Sequence, residues 1–272
     1  MRIQILGTAA AEAWPGLFCG CDTCRRARAA GGKDLRSRAS LQIDDAWKVD
    51  LPPDTYLHLV RHGLDFSRLR HLFITHSHHD HFAWQELEYV RPPFAHDLAA
   101  PPITLYGNDA VRAKLDGGIA ERAADYLQVR PAEPFVPIAA DGLTFTPILA
   151  SHAPPEQSLN YVIQSLAATV LYASDTGLYP RETMAHLARY RFDLLIVECT
   201  QGLLPHPSEL HMGWGGVLRL RDDLAKTGAV AAGTGLVITH FSHNIGLLHD
   251  ELQEAVAPEG AHVAYDGMIL EV

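Results

Sequence analysis

Seven consecutive positions, "THSHHDH" at 75–81, hold four histidines and one aspartate. Imidazoles packed this closely repel one another when protonated, so the run needs something that keeps the rings neutral, and a bound cation does this. In extended backbone, residues two apart share a face, so His76 and His78 can address one ion. Asp80 and His81 follow as the chain turns and can address a second, while His79 falls between and faces away. Elsewhere, "TPILAS" (146–151) runs into His152, "TVLYAS" (169–174) into Asp175 and "LVIT" (236–239) into His240. His152 is the natural third imidazole for the His76/His78 ion, and His240 completes the Asp80/His81 side. Asp175 has two oxygens and can bridge. Two ions roughly 3.5–4 Å apart in such a cage form a hydrolytic device that acidifies water. Mixed imidazole and carboxylate ligands suit Zn, Mn or Fe; two divalent cations, Zn or Mn, are expected.

A second cluster is "CGCDTC", with Cys19, Cys21 and Cys24. Three thiolates match a tetrahedral zinc site that lacks one ligand. The candidate fourth is His243, three residues after His240 in "THFSH", so one short loop would serve both a chemical site and a closed structural zinc. This close spacing suggests metal rather than disulfide, as in a cytoplasmic chain. Cys199 follows an apolar run and reads as a core residue.

The elements that must position these residues follow from the apolar runs. "LFIT" (72–75), the three runs above and "LLIVECT" (194–200), which carries Glu198, read as short buried strands. Their carboxyl ends are where open α/β sheets gather ligands. Helices are expected over 82–90 (with Asp80 as cap), 108–115, 180–190, 213–226 and 245–256, and antiparallel meanders over 38–50, 142–150 and 158–174. Mixed sheets with outer helices imply a layered α/β sandwich. The 272 residues, 47% of them apolar, can fill one large core and carry no linker, so one domain over 1–272 is expected. The net charge of −10 argues against a nucleic-acid partner. No run is long enough to span a membrane, and "MRIQILGTAA" reads as a first strand rather than a signal peptide. These features point to a cytoplasmic protein acting on a small anionic substrate, with no nucleic acid or membrane partner. A homodimer is the base-rate expectation.

At "HSHHDH", His152, "SDT" around Asp175 and His240, the chain resembles the metallo-β-lactamase superfamily. That resemblance implies an αββα four-layer sandwich. The opening "GTAAAEAWPGLFCGCDTCRRAR", the "THFSH" loop and the ending "AYDGMILEV" resemble the cyclic-phosphate phosphodiesterase family of the carbon–phosphorus lyase pathway. The pyrroloquinoline quinone biosynthesis B family shares the cysteine loop. The resemblance implies one metal site of His76, His78, His152 and Asp175, a second of Asp80, His81, Asp175 and His240, and structural zinc on Cys19, Cys21, Cys24 and His243. It matches His211, in "SELHMGW", to a histidine presented to the leaving group as a general acid. Asp80 and His211 are accordingly the expected catalytic side chains. The sequence departs from the family at "VDLPPDTY", at "APPEQSLNY" and in the loop 200–211, all of which frame the substrate. The expected function is a phosphodiesterase on a small cyclic or nucleotide-like diester. Arg25, Arg26, Arg28, Lys33, Arg36 and Arg38 form a basic cluster that could attract phosphate but reads more simply as a solvated face beside the cysteine loop. The alternatives are a lactonase or thioester hydrolase, a tRNA-maturing nuclease, which the acidic balance disfavours, and a non-hydrolytic metalloprotein of the quinone-cofactor type.

Overall fold

The computed structural model describes residues 1–116, 118–205 and 209–272. His206, read from sequence as an ordinary loop histidine, lies outside the described residues, as does the middle of the loop 200–211.

Strands form where short apolar runs alternate their faces. The first half of the chain gives β1 (Arg2–Gly7), β2 (Ser40–Ile43), β3 (Trp47–Val49), β4 (His71–Phe73), β5 (Ile103–Gly107) and β6 (Leu127–Pro131). The second half gives β7 (Ile138–Ala140), β8 (Leu143–Leu149), β9 (Leu159–Gln164), β10 (Thr169–Ala173), β11 (Leu194–Glu198), β12 (Gly235–Thr239), β13 (Ala261–Val263) and β14 (Ile269–Glu271). Among the described residues these make two seven-stranded sheets, ordered β14-β1-β2-β3-β4-β5-β6 and β13-β12-β11-β10-β9-β8-β7. In each sheet a run of parallel strands, β3 to β6 and β10 to β13, adjoins antiparallel ones. All the parallel strands of one sheet therefore end on the same side. β8 runs the same way as β10, because two antiparallel steps separate them.

The period of two divides the core. Val170 and Tyr172 of β10, with Leu194 and Ile196 of β11, face the other sheet and meet Phe73, Phe145 and Tyr161. Leu171, Ala173, Leu195 and Val197 face outward onto helices. The helices are α1 (Asp22–Ala30), α2 (Thr55–His62), α3 (Asp109–Ala113), α4 (Ile119–Arg122), α5 (Arg181–Leu187), α6 (Trp214–Lys226) and α7 (His249–Val256). Leu187, Val217, Leu220, Leu252 and Val256 cover the second sheet, and Leu87, Val111 and Ile119 cover Leu72, Ile74 and Leu105 of the first. The result is the αββα four-layer sandwich, with each fully buried large apolar side chain contributing about 1.5–3 kcal/mol. No helix among the described residues is long and apolar enough to cross a membrane.

Three expectations need correction. Residues Trp84–Val90 form a 3-10 helix capped by Ala83 rather than an α-helix capped by Asp80. Its entry is tied elsewhere, with Phe82 N donating to His78 O and Ala83 N to Leu51 O. The stretch 245–256 breaks at Gly246, which is left-handed at φ 76°, so α7 starts only at His249. The helices α1 and α2 arise in segments read as a cysteine loop and as a departure after two prolines.

The N-terminal loop is pinned to α7 by a buried guanidinium. Arg36 donates to Thr8 Oγ1 (2.9 Å), Ala264 O (2.6 Å) and His249 Nδ1 (3.0 Å), over the Phe241 ring. Burial, and the charges of Arg36 and Lys33, hold the His249 imidazole down to about 4. A depressed imidazole leaves stability complete above the unfolded value of 6.5 and lost as pH falls toward about 4. The His249 share is at most about 3 kcal/mol. We predict that His249→Gln, which keeps an acceptor for Arg36, flattens the fall in Tm between these pH values. An unchanged fall would assign the effect to other groups.

Candidate metal centre

Three strand ends turn inward through backbone that most residues avoid. Asp50 after β3, Asp175 after β10 and His240 after β12 have φ of 63°, 46° and 59°. Left-handed backbone costs a non-glycine residue on the order of 1–2 kcal/mol and persists where the surroundings over-determine it. Here neighbouring backbone does so. Asp50 N donates to Phe73 O (2.8 Å), and Phe241 N, just after His240, donates to Thr8 O (2.8 Å). The "THSHHDH" segment leaves β4 at the same side. It is held by Leu159 N to Thr75 O (2.8 Å) and by Tyr161 Oη to Ile74 O (2.8 Å), both crossing from the other sheet.

Behind the histidines stand two buried carboxylates, one per sheet. Asp50 accepts from Thr75 N (2.8 Å), from the Thr75 hydroxyl (2.9 Å) and from His81 Nδ1–H (2.7 Å). Thr75 Oγ1 in turn accepts from His76 Nδ1–H (3.0 Å). Glu198 accepts from Thr176 N (2.7 Å), Thr200 N (3.1 Å), Met212 N (3.2 Å) and the Thr200 hydroxyl (2.5 Å). Thr200 Oγ1 accepts from His240 Nδ1–H (2.8 Å). Each sheet thus supplies an acid–threonine–histidine chain. Each chain fixes the proton on Nδ1 and turns Nε2 toward the centre, which is how metal-binding imidazoles are oriented.

These atoms fit cations. Nε2 of His76, His81 and His240 and Oδ1 of Asp175 are buried without a hydrogen-bond partner, an arrangement that costs about 1–3 kcal/mol per bare group. The donor atoms of His76, His78, His152 and Asp175 lie within 4.8 Å of one another, as do those of Asp80, His81, Asp175 and His240. Asp175 Oδ2 is 3.5 Å from His76 Nε2, 3.4 Å from His152 Nε2 and 3.3 Å from His81 Nε2, and Oδ1 contacts His240 Nε2, so this carboxylate belongs to both sets. Burial opposes charge on His81, but Asp175, Asp50 and Asp80 outweigh it and hold its imidazole well above the ordinary value. Burial, then the His81 charge, drives His76 well below its own. Burial also opposes ionisation of Asp175, yet His240 and His81 hold it well below the usual carboxylate range. The centre therefore gathers negative charge that a proton on His81 meets in part, and that divalent cations would meet in its place.

The cysteine cluster closes beside it. The donor atoms of Cys19, Cys21, Cys24 and His243 lie within 4.8 Å of one another, with Cys21 Sγ 3.6 Å and Cys19 Sγ 4.0 Å from His243 Nδ1. Cys21 caps α1 by accepting from Cys24 N. That bond, with Cys19 beside it, draws the Cys21 thiol down to about 6, as expected for a thiolate at a helix N-terminus. Burial, aided by its two neighbours, pushes Cys24 up to about 11. A Cβ at Gly16 would stand 3.0 Å from Cys19 Cβ and 3.2 Å from the His243 ring, so the loop needs glycine there to close. Cys199 is fully buried in the core.

His211 completes the cleft. Its Nδ1–H donates to Glu198 Oε1 (2.9 Å), and its ring lies 4.9 Å from His152 and 5.9 Å from His240. Burial resists its charge, but the Glu198 hydrogen bond and charge, with Asp175 and Asp80, push it up to about 9. With His78, Asp80, His152, Asp175 and His240 it lines a central cavity of about 480 Å3. His79 is exposed and belongs to neither cluster.

Sequence reasoning missed the supporting carboxylates. Asp50 was visible as an acid ending an apolar run, yet "VDLPPDTY" read only as a departure. Glu156 holds Ser77 N and Oγ (both 2.8 Å) and Asn108 Nδ2 (2.8 Å), partners 79 and 48 residues away, which leave no local signal. The basic cluster does not serve the central cavity, and its reading as a solvated face needs correction at Arg36. Arg36 is buried, Arg38 pairs with Asp54, Arg26 with Glu251 and Arg25 with Asp22, and none of the six lines the central cavity.

Residues 52–241 match the family model described as the β-lactamase superfamily domain. No curated protein matches the chain in sequence. Among solved structures, a diphosphatase from the PhnP family is similar with a TM-score of 0.78 at 21% identity, over 100% of this chain and 97% of that one. Zn2+-bound PqqB from Methylobacterium extorquens is similar with a TM-score of 0.80 at 18% identity, over 100% of both chains. The short form of human tRNase Z is similar with a TM-score of 0.67 at 17% identity, over 100% and 99%. At these identities the likeness is one of fold.

Two predictions follow from the geometry. Cys21→Ser is expected to lose one zinc per chain by elemental analysis and to lower Tm by roughly 5 °C, the shift that about 2 kcal/mol gives a chain of this size. Unchanged zinc and Tm would exclude zinc from this cluster. Asp50→Asn turns an amide donor toward His81 Nδ1–H and is expected to weaken metal binding about 10–100-fold in a chelator competition. Wild-type affinity would deny Asp50 its orienting role.

Proposed function

This chain belongs to the β-lactamase superfamily, and from that premise we propose that it is a metal-dependent hydrolase of small phosphodiesters. The Glu198–His211 pair carries the reading: a buried carboxylate holds Nδ1 of an imidazole on the wall of the central cavity. His76, His78, His152 and Asp175 would hold one divalent cation, Asp80, His81, Asp175 and His240 a second, and Cys19, Cys21, Cys24 and His243 a structural zinc. When bound, the paired cations would supply Lewis-acid activation of water and neutralise phosphoryl charge.

The protein's own groups divide the remaining work. Asp50 and Glu198 keep the histidines aligned through Thr75 and Thr200. His211 holds a proton at Nε2 and gives it to the departing oxygen, which an alkoxide leaving group requires. Glu198 then stabilises the neutral imidazole in the tautomer that can be reprotonated at Nε2. A similar structure being a diphosphatase supports phosphoryl over carbonyl substrates. One observation favours carbonyl chemistry on a lactone or thioester instead: among the described residues no lysine or arginine lines the central cavity.

The test is hydrolysis of bis(p-nitrophenyl) phosphate, a lactone and a thioester by protein reloaded with Mn or Zn. Diesterase turnover is expected. His211→Ala should then lose about 10²-fold or more on a diester with an alkyl leaving group and far less on the p-nitrophenyl ester, whose phenolate needs no proton. Equal losses on both would remove His211 as the acid. Lactone turnover with a silent diester would move the function to carbonyl chemistry.

A further inference from the structure

Two cavities flank the metal centre, parted by the segment 153–157. One, of about 1040 Å3, opens beside His78. The other, of about 800 Å3, opens beside His152 and His211. Those two histidines also line the central cavity, so the second space adjoins it on the side of His211. Its lining is more apolar than polar, with Pro154, Leu178, Leu210 and Met212 forming the apolar part and Glu156, Glu209 and Arg219 also lining it. Leu178 and Leu210 are 40% and 41% exposed, which leaves apolar surface open beside a charged centre. Gly215, in the first turn of α6, lines the same space, and a Cβ there would meet no atom within 4 Å. Its backbone is ordinary helix, where alanine is more stable than glycine. Neither packing nor φ requires glycine at this position. What it does is leave room.

Resting on the phosphodiesterase reading, we infer that this cavity receives the leaving-group half of the substrate, and that the substrate is an acyclic diester whose departing alcohol is bulky and apolar. The leaving oxygen must stand beside His211 to take its proton, so the group it carries extends to the His211 side. Water adds across the bond: its oxygen ends on phosphorus, and the departing oxygen keeps the electron pair of the broken P–O bond and gains a proton from His211. The imidazole then recovers a proton from the solvent pool that the attacking water supplies. A cyclic diester keeps its leaving oxygen tethered to the retained half and would leave this space unfilled.

The experiment compares 4-nitrophenyl methyl phosphate with 4-nitro-1-naphthyl methyl phosphate, which share the retained group. It uses metal-loaded wild type, Gly215→Ala and Gly215→Leu, with circular dichroism as the check on folding. Wild type is expected to prefer the naphthyl ester, and Gly215→Leu to lower kcat/KM for it by about tenfold, the discrimination a few methylenes carry in an apolar pocket. The loss should appear mainly in KM, should be smaller on the phenyl ester, and should be intermediate in Gly215→Ala. Methyl (1-naphthylmethyl)phosphonate, in which CH2 replaces the leaving oxygen, should bind wild type more tightly than Gly215→Leu. If wild type turns over both esters, or a 2′,3′-cyclic nucleotide, with no naphthyl preference and Gly215→Leu changes nothing, the inference falls and the diesterase reading stands. If wild type hydrolyses no diester, both fall.

Discussion

Three carboxylates, Asp50, Asp175 and Glu198, lie buried between the sheets at 0%, 3% and 0% exposure, and the rest of the molecule is arranged around keeping their charge matched. An ionised carboxylate taken out of water costs several kcal/mol unless donors surround it. Backbone amides of Thr75, Thr176, Thr200 and Met212, two threonine hydroxyls and a ring of imidazoles provide those donors. Strands must end at this point for so many amides to be free of the ladder. The left-handed turns at Asp50, Asp175 and His240 are the local cost of ending them there.

The two sheets meet this constraint in parallel ways with different outcomes. In the first sheet, Asp50 serves His81 directly and His76 through Thr75. In the second, Glu198 serves His211 directly and His240 through Thr200. The first chain therefore ends in two histidines of the metal cluster. The second ends in one such histidine and one that faces the cavity with its proton. The same local chemistry orients three rings that lie against Asp175 and a fourth, His211, that lies beside His152 and His240 on the cavity wall.

What the sequence revealed was what could be read locally. The spacing of "THSHHDH", the short apolar runs read as buried strands, and a candidate ligand at the end of these runs pointed to His76, His78, Asp80, His81, His152, Asp175 and His240, which the structure brings into one place. Cys19, Cys21, Cys24 and His243 met as their spacing suggested. The supporting carboxylates were not legible, because Asp50 and Glu156 act on partners that only sheet pairing brings near. Arg36 misled for the same reason. Arg36 looks like surface charge in sequence, but it is buried because Thr8, Ala264 and His249 converge on it from distant segments. Trp84–Val90 has helical composition, yet bonds to Leu51 and His78 constrain its entry.

Asp175 belongs to the second sheet, while His76 and His81 belong to the first. A cation held among them would be a cross-link between sheets, and a reversible one. Its contribution to folding would follow mass action, rising with the logarithm of free ion above its dissociation constant. The spacing of the two layers at this end of the sandwich would then be set partly by solution composition and not by side-chain packing alone. Metal supply would act as a thermodynamic variable of the fold, and the apoprotein would be the state in which the layers are joined there by protein contacts alone, among them Thr75 to Leu159, Ile74 to Tyr161, Ser77 and Asn108 to Glu156, and His81 to Asp175.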